Sequence, residues 1–267
     1  MCTVSWIHEA DGYHLLCNRD EKNTRKPASA PELHARGSVR FAAPVDGDFG
    51  GSWIAVNEFG LSLCLLNGRP PGVRMARASR GLLVHELIGE SSASGVCDAL
   101  QRCDVSMYAP FTLAVLEPDS PVAVAEWNGE SIAITRRAQG LMPLTSSSLD
   151  PQGVARRRNA EFARMARGQA VDAALLCRFH ESHATGPSAY STCMHRSDAA
   201  TVSFSWIKVR PFEIDFFYSP AAPCQWQPGR TLTMARRCPT ADGYAAAERS
   251  SGAEDRGVAA ARFRRSA

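Results

Sequence analysis

Met1-Cys2-Thr3-Val4-Ser5-Trp6 opens the chain, and Cys17-Asn18-Arg19-Asp20-Glu21 follows beyond the turn residues Ala10-Asp11-Gly12. Residues 2–8 and 13–18 predict two strands joined by that turn, so an antiparallel return carries Arg19 and Asp20 back beside the chain start. A small side chain after the initiator permits removal of Met1, which would leave Cys2 with both a thiol and a free α-amine. A thiol is a poor nucleophile until it loses its proton, and an amine with a reference pKa of about 8 can accept that proton at neutral pH. In this arrangement Arg19 holds the thiolate by its charge and lowers the thiol pKa, while Asp20 holds the protonated amine.

Downstream, Gly50-Gly51-Ser52-Trp53-Ile54 leads from a tight turn into a strand over residues 53–56. Asn57-Glu58-Phe59-Gly60 is the next turn, and Leu61 to Leu66 is apolar enough for a buried strand. Asn67 ends that strand at Gly68-Arg69-Pro70-Pro71. Acyl transfer needs a fixed N–H aimed at the developing negative oxygen, which the Asn67 amide can supply. Asn before Gly is equally a turn-former.

Cys2, the tetrad Asn18-Arg19-Asp20-Glu21, Gly50-Gly51-Ser52-Trp53-Ile54 and Leu66-Asn67 together resemble the NRDE family, also called the transport and Golgi organization 2 family. The run from Asn57 to Gly68 also looks like the corresponding stretch of the choloylglycine hydrolases, the bile salt and penicillin V acylases. The motif-bearing part covers residues 1 to about 70. The resemblance implies an α+β fold, a four-layer αββα sandwich of the N-terminal nucleophile hydrolase type. It implies Cys2, Arg19, Asp20 and Asn67 as catalytic residues, with Asn18, Ser146 and Arg196 as secondary or substrate-binding positions. Ser146, in Thr145-Ser146-Ser147, stands where the acylases carry a second asparagine, and Arg196 is two residues out of register with their late arginine.

A chain of 267 residues with 45% hydrophobic and 21% charged residues can bury one large core. A formal charge of +3, without a basic stripe interleaved with aromatics, speaks against nucleic acid as partner. No apolar run approaches the roughly 20 residues of a bilayer span, and Glu9, Asp11, His8 and His14 interrupt any signal-peptide pattern. A cytoplasmic protein without stable membrane insertion is expected. Nine cysteines, an odd set without a CxxC pair, argue against a disulfide framework and against a structural zinc site. Cys177, His180 and His183 share a helical spacing, but with no further ligand at a compatible offset they are read as the end of an amphipathic helix with exposed histidines, and no metal is expected.

Residues 21–38 predict a surface loop with Arg25, Lys26 and His34 in solvent. Helical periodicity over residues 79–104, broken around Gly89 to Gly95, is followed by strands over 111–116, 122–127 and 131–135. Asp150-Pro151 caps a helix to about Arg167, whose Arg156-Arg157-Arg158 run is read as a solvated face, and residues 170–183 form another. Strands over 201–209, 212–218 and 231–234 complete a domain of residues 1–234, before a polar tail at 235–267.

The expected activity is therefore hydrolysis of a linear amide or related acyl bond, a carbon–nitrogen bond other than a peptide bond, in a small-molecule substrate without a cofactor. The alternative implied by the resemblance is a non-catalytic carrier handling haem or lipid, with the Cys2 thiolate or His8, His14 or His34 ligating iron.

Overall fold

The computed structural model describes residues 2–68, 76–137, 143–184, 186–225 and 227–237. In chain order they form β1 (Cys2–Glu9), β2 (Gly12–Lys22), β3 (Glu32–Arg36), β4 (Val39–Ala43), β5 (Ile54–Asn57), β6 (Ser62–Asn67), α1 (Arg80–Leu87) and α2 (Ala93–Arg102). There follow β7 (Phe111–Leu116), β8 (Val122–Trp127), β9 (Ile132–Arg137), β10 (Leu144–Thr145), α3 (Pro151–Ala166), α4 (Ala173–Glu181), β11 (Ala199–Val209), β12 (Glu213–Ser219) and β13 (Arg230–Ala235). One antiparallel sheet has the order β10-β1-β2-β11-β12-β13, the other β3-β4-β5-β6-β7-β8-β9.

Three apolar clusters set the layers. Val4, Trp6, Tyr13 and Leu15 of the first sheet meet Ile54, Val56, Leu66 and Val124 of the second. Leu83, Val84, Leu87 and Val96 of α1 and α2 cover the outer face of the second sheet on Leu63, Leu65 and Leu113. Phe162, Leu175, Leu176 and Phe179 of α3 and α4 cover the outer face of the first on Leu16 and Phe204. The fold is thus α+β in four layers, helices outside and two sheets face to face within. Each large apolar side chain so buried contributes about 1.5–3 kcal/mol before the cost of ordering the chain.

Local chemistry agrees with this frame. The β1–β2 hairpin pairs Cys2 with Arg19 and Glu9 with Gly12. A Cβ on Gly12 would lie 2.0 Å from the Val209 carbonyl oxygen, so this corner admits only glycine. Asp150 caps α3 by accepting from Gly153 N–H at 2.9 Å with Pro151 in the first turn, and Asp172 caps α4 by accepting from Leu175 N–H at 2.7 Å.

One expectation is corrected. The stretch 21–38 is not all loop: Glu32–Arg36 pairs with Val39–Ala43 to edge the second sheet. Leu33 and Ala35 alternate with polar residues there, but both faces are largely exposed, since an edge strand is held mainly by its backbone. β13 ends at Ala235, Arg236 N–H donates to the Phe212 carbonyl, and Arg237 N–H donates to the Glu58 carbonyl. Most of the expected tail, from residue 238, lies outside the described residues.

Candidate active site

Strand parity divides the Asn18-Arg19-Asp20-Glu21 tetrad between two faces of the first sheet. Cys17, Arg19 and Glu21 follow Tyr13 and Leu15 on the side toward the second sheet; Asn18 and Asp20 follow His14 and Leu16 on the helix side. Cys2 begins the register beside Arg19 and shares its side.

Cys2 is 5% exposed and forms part of the wall of a cavity of about 500 Å³. Its backbone nitrogen donates to Ser146 Oγ at 3.0 Å, and Ser146 N–H donates to the Cys2 carbonyl at 3.0 Å, so the short strand β10 clamps the chain start. The Ser146 hydroxyl oxygen accepts from the nitrogen that would become the α-amine. The Cys2 thiol is pushed well above the ordinary range by its hydrogen bond with Cys17 and by burial, with Asp20 adding to the rise. Arg19, opposite Cys2 in the register, is not among the groups that set this shift; its guanidinium is held by Asp46.

Arg19 lies over the Trp53 ring at 4.4 Å and donates to Asp46 at 2.5 Å. Asp46 also accepts from Arg25 at 2.6 Å, and the Arg25 Nε lies 2.9 Å from Asp48. Arg25, expected in solvent, is therefore a wall of the cavity. Its own position carries no apolar pattern to reveal this, since carboxylates some 20 residues away recruit it. Asn67 at the end of β6 lines the cavity with Cys2, as do Glu21, Arg77 and Arg80. Arg80 donates to the Pro110 carbonyl at 2.8 Å, and burial lowers its pKa while Cys2 and Glu21 counter that.

Behind β1, Asp20 is fully buried and accepts from Thr201 Oγ1 at 2.6 Å and from Arg158 at 3.2 Å. Arg158 also donates to Thr3 Oγ1. Arg158 is 1% exposed, whereas Arg156 and Arg157 are exposed, so the expected solvated run turns one member inward. The helical period held the signal: Val154, Arg158 and Phe162 fall at i, i+4 and i+8 on the buried face of α3.

Asn18 does not line the cavity. Its Nδ2 donates to the carbonyls of His180 at 2.9 Å and Thr192 at 3.0 Å, which leaves its Oδ1 to accept from His180 Nδ1–H at 2.9 Å. His180 Nε2 then accepts from the Ser5 hydroxyl at 2.8 Å. His180, expected exposed, is fully buried, and burial followed by the Arg158 charge lowers its pKa to about 3. Arg196 is spent on Asp198 at 2.8 and 2.6 Å, away from the cavity.

The histidines considered for iron lie away from Cys2. His8 is on the Glu117 carbonyl, His14 is between Glu9 and Trp206, His34 stacks near Phe41 and His85, and none lines the cavity. A separate cluster missed by sequence reasoning brings together His183, Cys193, His195 and Cys224, with donor atoms all within 4.8 Å of one another.

Two antiparallel sheets packed face to face between outer helices, with Cys2 on the first strand lining a cavity between them, give the αββα fold of the N-terminal nucleophile hydrolase type. Solved structures agree on the fold. Penicillin V acylase from Agrobacterium tumefaciens superposes with a TM-score of 0.52 at 12% identity, over 88% of this chain and 86% of that one. A conjugated bile acid hydrolase mutant from Clostridium perfringens gives 0.53 at 9% identity, over 88% and 92%. The Caenorhabditis elegans ortholog of N-acylethanolamine-hydrolyzing acid amidase gives 0.55 at 10% identity, over 78% and 92%. Comparison with curated protein sequences gives no match. The Transport and Golgi organisation 2 family matches residues 1–195, and the chain belongs to that family. Among the described residues no helix is long and apolar enough to cross a membrane.

Proposed function

We propose that this protein is a cysteine N-terminal nucleophile hydrolase that cleaves a linear amide or related acyl bond of a small molecule. The observation that carries the reading is the position of Cys2: side chain on the cavity wall, nitrogen on the Ser146 hydroxyl at 3.0 Å, Arg19 directly opposite in the sheet register. Three solved neighbours whose names state amide or acyl hydrolysis share the fold, which raises the prior without fixing a substrate.

In the proposed reaction Met1 is removed, and the free amine of Cys2 takes the thiol proton as Sγ attacks the substrate carbonyl. A raised thiol pKa makes that internal base necessary, because little thiolate forms on its own at neutral pH. Asn67 and a backbone N–H hold the oxyanion. The amine returns its proton to the leaving group, and water then cleaves the thioester. Arg19, braced by Trp53 and Asp46, orients the chain start and the cavity wall. Asp20 and Arg158 fix β1 from behind through Thr3. Arg77 and Arg80 add positive charge to the cavity wall and favour a substrate with an anionic group.

The test uses intact mass. Purified protein should lack Met1, and incubation with acyl p-nitroanilides or p-nitrophenyl esters should add one acyl group that maps to Cys2 and is absent in Cys2→Ala. Retention of Met1, or equal turnover by Cys2→Ala, would sink the reading.

A further inference from the structure

His183 lies two residues beyond α4, Cys193 and His195 lie in the segment before β11, and Cys224 lies in the 3-10 turn Pro223–Gln225 that follows β12. Nothing in the proposed acyl chemistry uses them, and none lines the cavity of Cys2. Cys193 Sγ is 3.5 Å and Cys224 Sγ 3.4 Å from His195 Nε2, and both thiols are free. The His183 and His195 rings approach to 5.0 Å between centroids. His183 Nε2 is shielded from solvent and has no hydrogen-bond partner among the described residues, an arrangement that buried nitrogens rarely tolerate.

We propose that His183, Cys193, His195 and Cys224 form a tetrahedral zinc site. Two sulfur and two nitrogen ligands are the donor set that borderline-soft, redox-inert Zn²⁺ takes in closed structural sites. With Zn–S of about 2.3 Å and Zn–N of about 2.0–2.1 Å, tetrahedral geometry separates sulfur from nitrogen by about 3.6 Å. The 3.5 and 3.4 Å separations already fit that tetrahedron, and the orphaned His183 Nε2 supplies the fourth ligand. On binding, each thiol gives its proton to solvent, so Zn²⁺ replaces two protons and the site of two thiolates, two neutral imidazoles and one dication is neutral. Four ligands from the protein leave no open position, so the ion is structural.

The ion would sit at a consequential place. Cys193 N–H donates to the Ser182 carbonyl, Thr192 supplies a carbonyl to Asn18, and Met194 pairs with Thr201, whose hydroxyl donates to Asp20. Zinc would therefore fasten the segment that supports the tetrad from the helix side. This inference stands apart from the acyl-transfer proposal and survives its failure.

Elemental analysis of the full chain, purified without chelator and dialysed, tests it. One zinc per chain is expected, lost in Cys224→Ser and in His183→Asn and retained in Cys2→Ala. Zinc affinity should fall about a hundredfold per pH unit on acidification, because two protons compete. Adding Co²⁺ to chelator-stripped protein should give the intense visible bands of a tetrahedral ion together with thiolate-to-metal charge transfer, which reads the site even where a variant folds poorly. Absence of both zinc and these bands, equal zinc in Cys224→Ser, or a Cys193–Cys224 disulfide in the isolated protein would overturn the proposal.

Discussion

Cys2 and Cys17 touch diagonally across the first hairpin, and this contact leads the causes that hold the Cys2 thiol protonated. Cys17→Ala should therefore lower the Cys2 pKa, raise its thiolate fraction and speed its alkylation by iodoacetamide at pH 7, read by peptide mass mapping. Slower or unchanged labelling would contradict the assignment. His180 offers a second residue-level check. Its native pKa is about 3 against 6.5 for a free histidine, so below pH 6.5 the unfolded chain takes up a proton that the native protein refuses. Its stabilising contribution is complete above that value and is lost as the pH falls, by about 1.4 kcal/mol per unit and ~2 kcal/mol by pH 5. Urea unfolding at pH 7 and pH 5 should show that loss in the wild type and a smaller one in His180→Gln, and equal losses would refute it. The Asn18 hydrogen bonds fix the proton on Nδ1 of His180, while burial and then the Arg158 charge make the ring resist a second one.

At the scale of elements, α3 is joined to the first sheet by one ion pair in addition to its apolar stripe. Arg158 and Asp20 are 1% and 0% exposed, so removing one partner strands the other charge away from water. Arg158→Met should destabilise the fold by about 3–5 kcal/mol, and adding Asp20→Asn should recover a large part of that. Thermal and urea unfolding of the two singles and the double form the cycle; additive losses would show the pair to be uncoupled. The elements themselves were largely legible. The β1–β2 hairpin, β6 to β8 and α1 to α4 follow alternation, apolar runs, helical stripes and capping residues that lie within each segment. The edge strand β3 was not, because its side chains are largely exposed and its pairing with β4 engages the backbone.

For the whole molecule, the described packing of both sheets is complete at Arg236 and Arg237, where Arg236 contacts the Phe59, Asp11 and Arg210 carbonyls and Arg237 lies over Phe59. A chain ending after Arg237 should unfold cooperatively with nearly the full-length melting temperature, whereas one ending after Gly229 loses β13, bares the edge of β12 and should aggregate. A large drop in melting temperature for the longer truncation would place essential packing beyond residue 237. Sequence by itself determined the β1–β2 hairpin that sets Cys2 beside Arg19, because hairpin register is a local property, while the fold class was read from the motifs' resemblance to a family. Asn67 lies on the second sheet and meets Cys2 at the cavity only because the two sheets stack. Tertiary structure alone decided which charges are inside. Arg25 is drawn in by Asp46, Arg158 by Asp20, and Ser146 reaches the Cys2 nitrogen through a two-residue strand. It also decided that His183, Cys193, His195 and Cys224 meet, since their donor atoms converge only when the end of α4, the approach to β11 and the turn after β12 are packed on one sheet. Pairings across 20 to 150 residues depend on how layers stack, and no period within a segment records them.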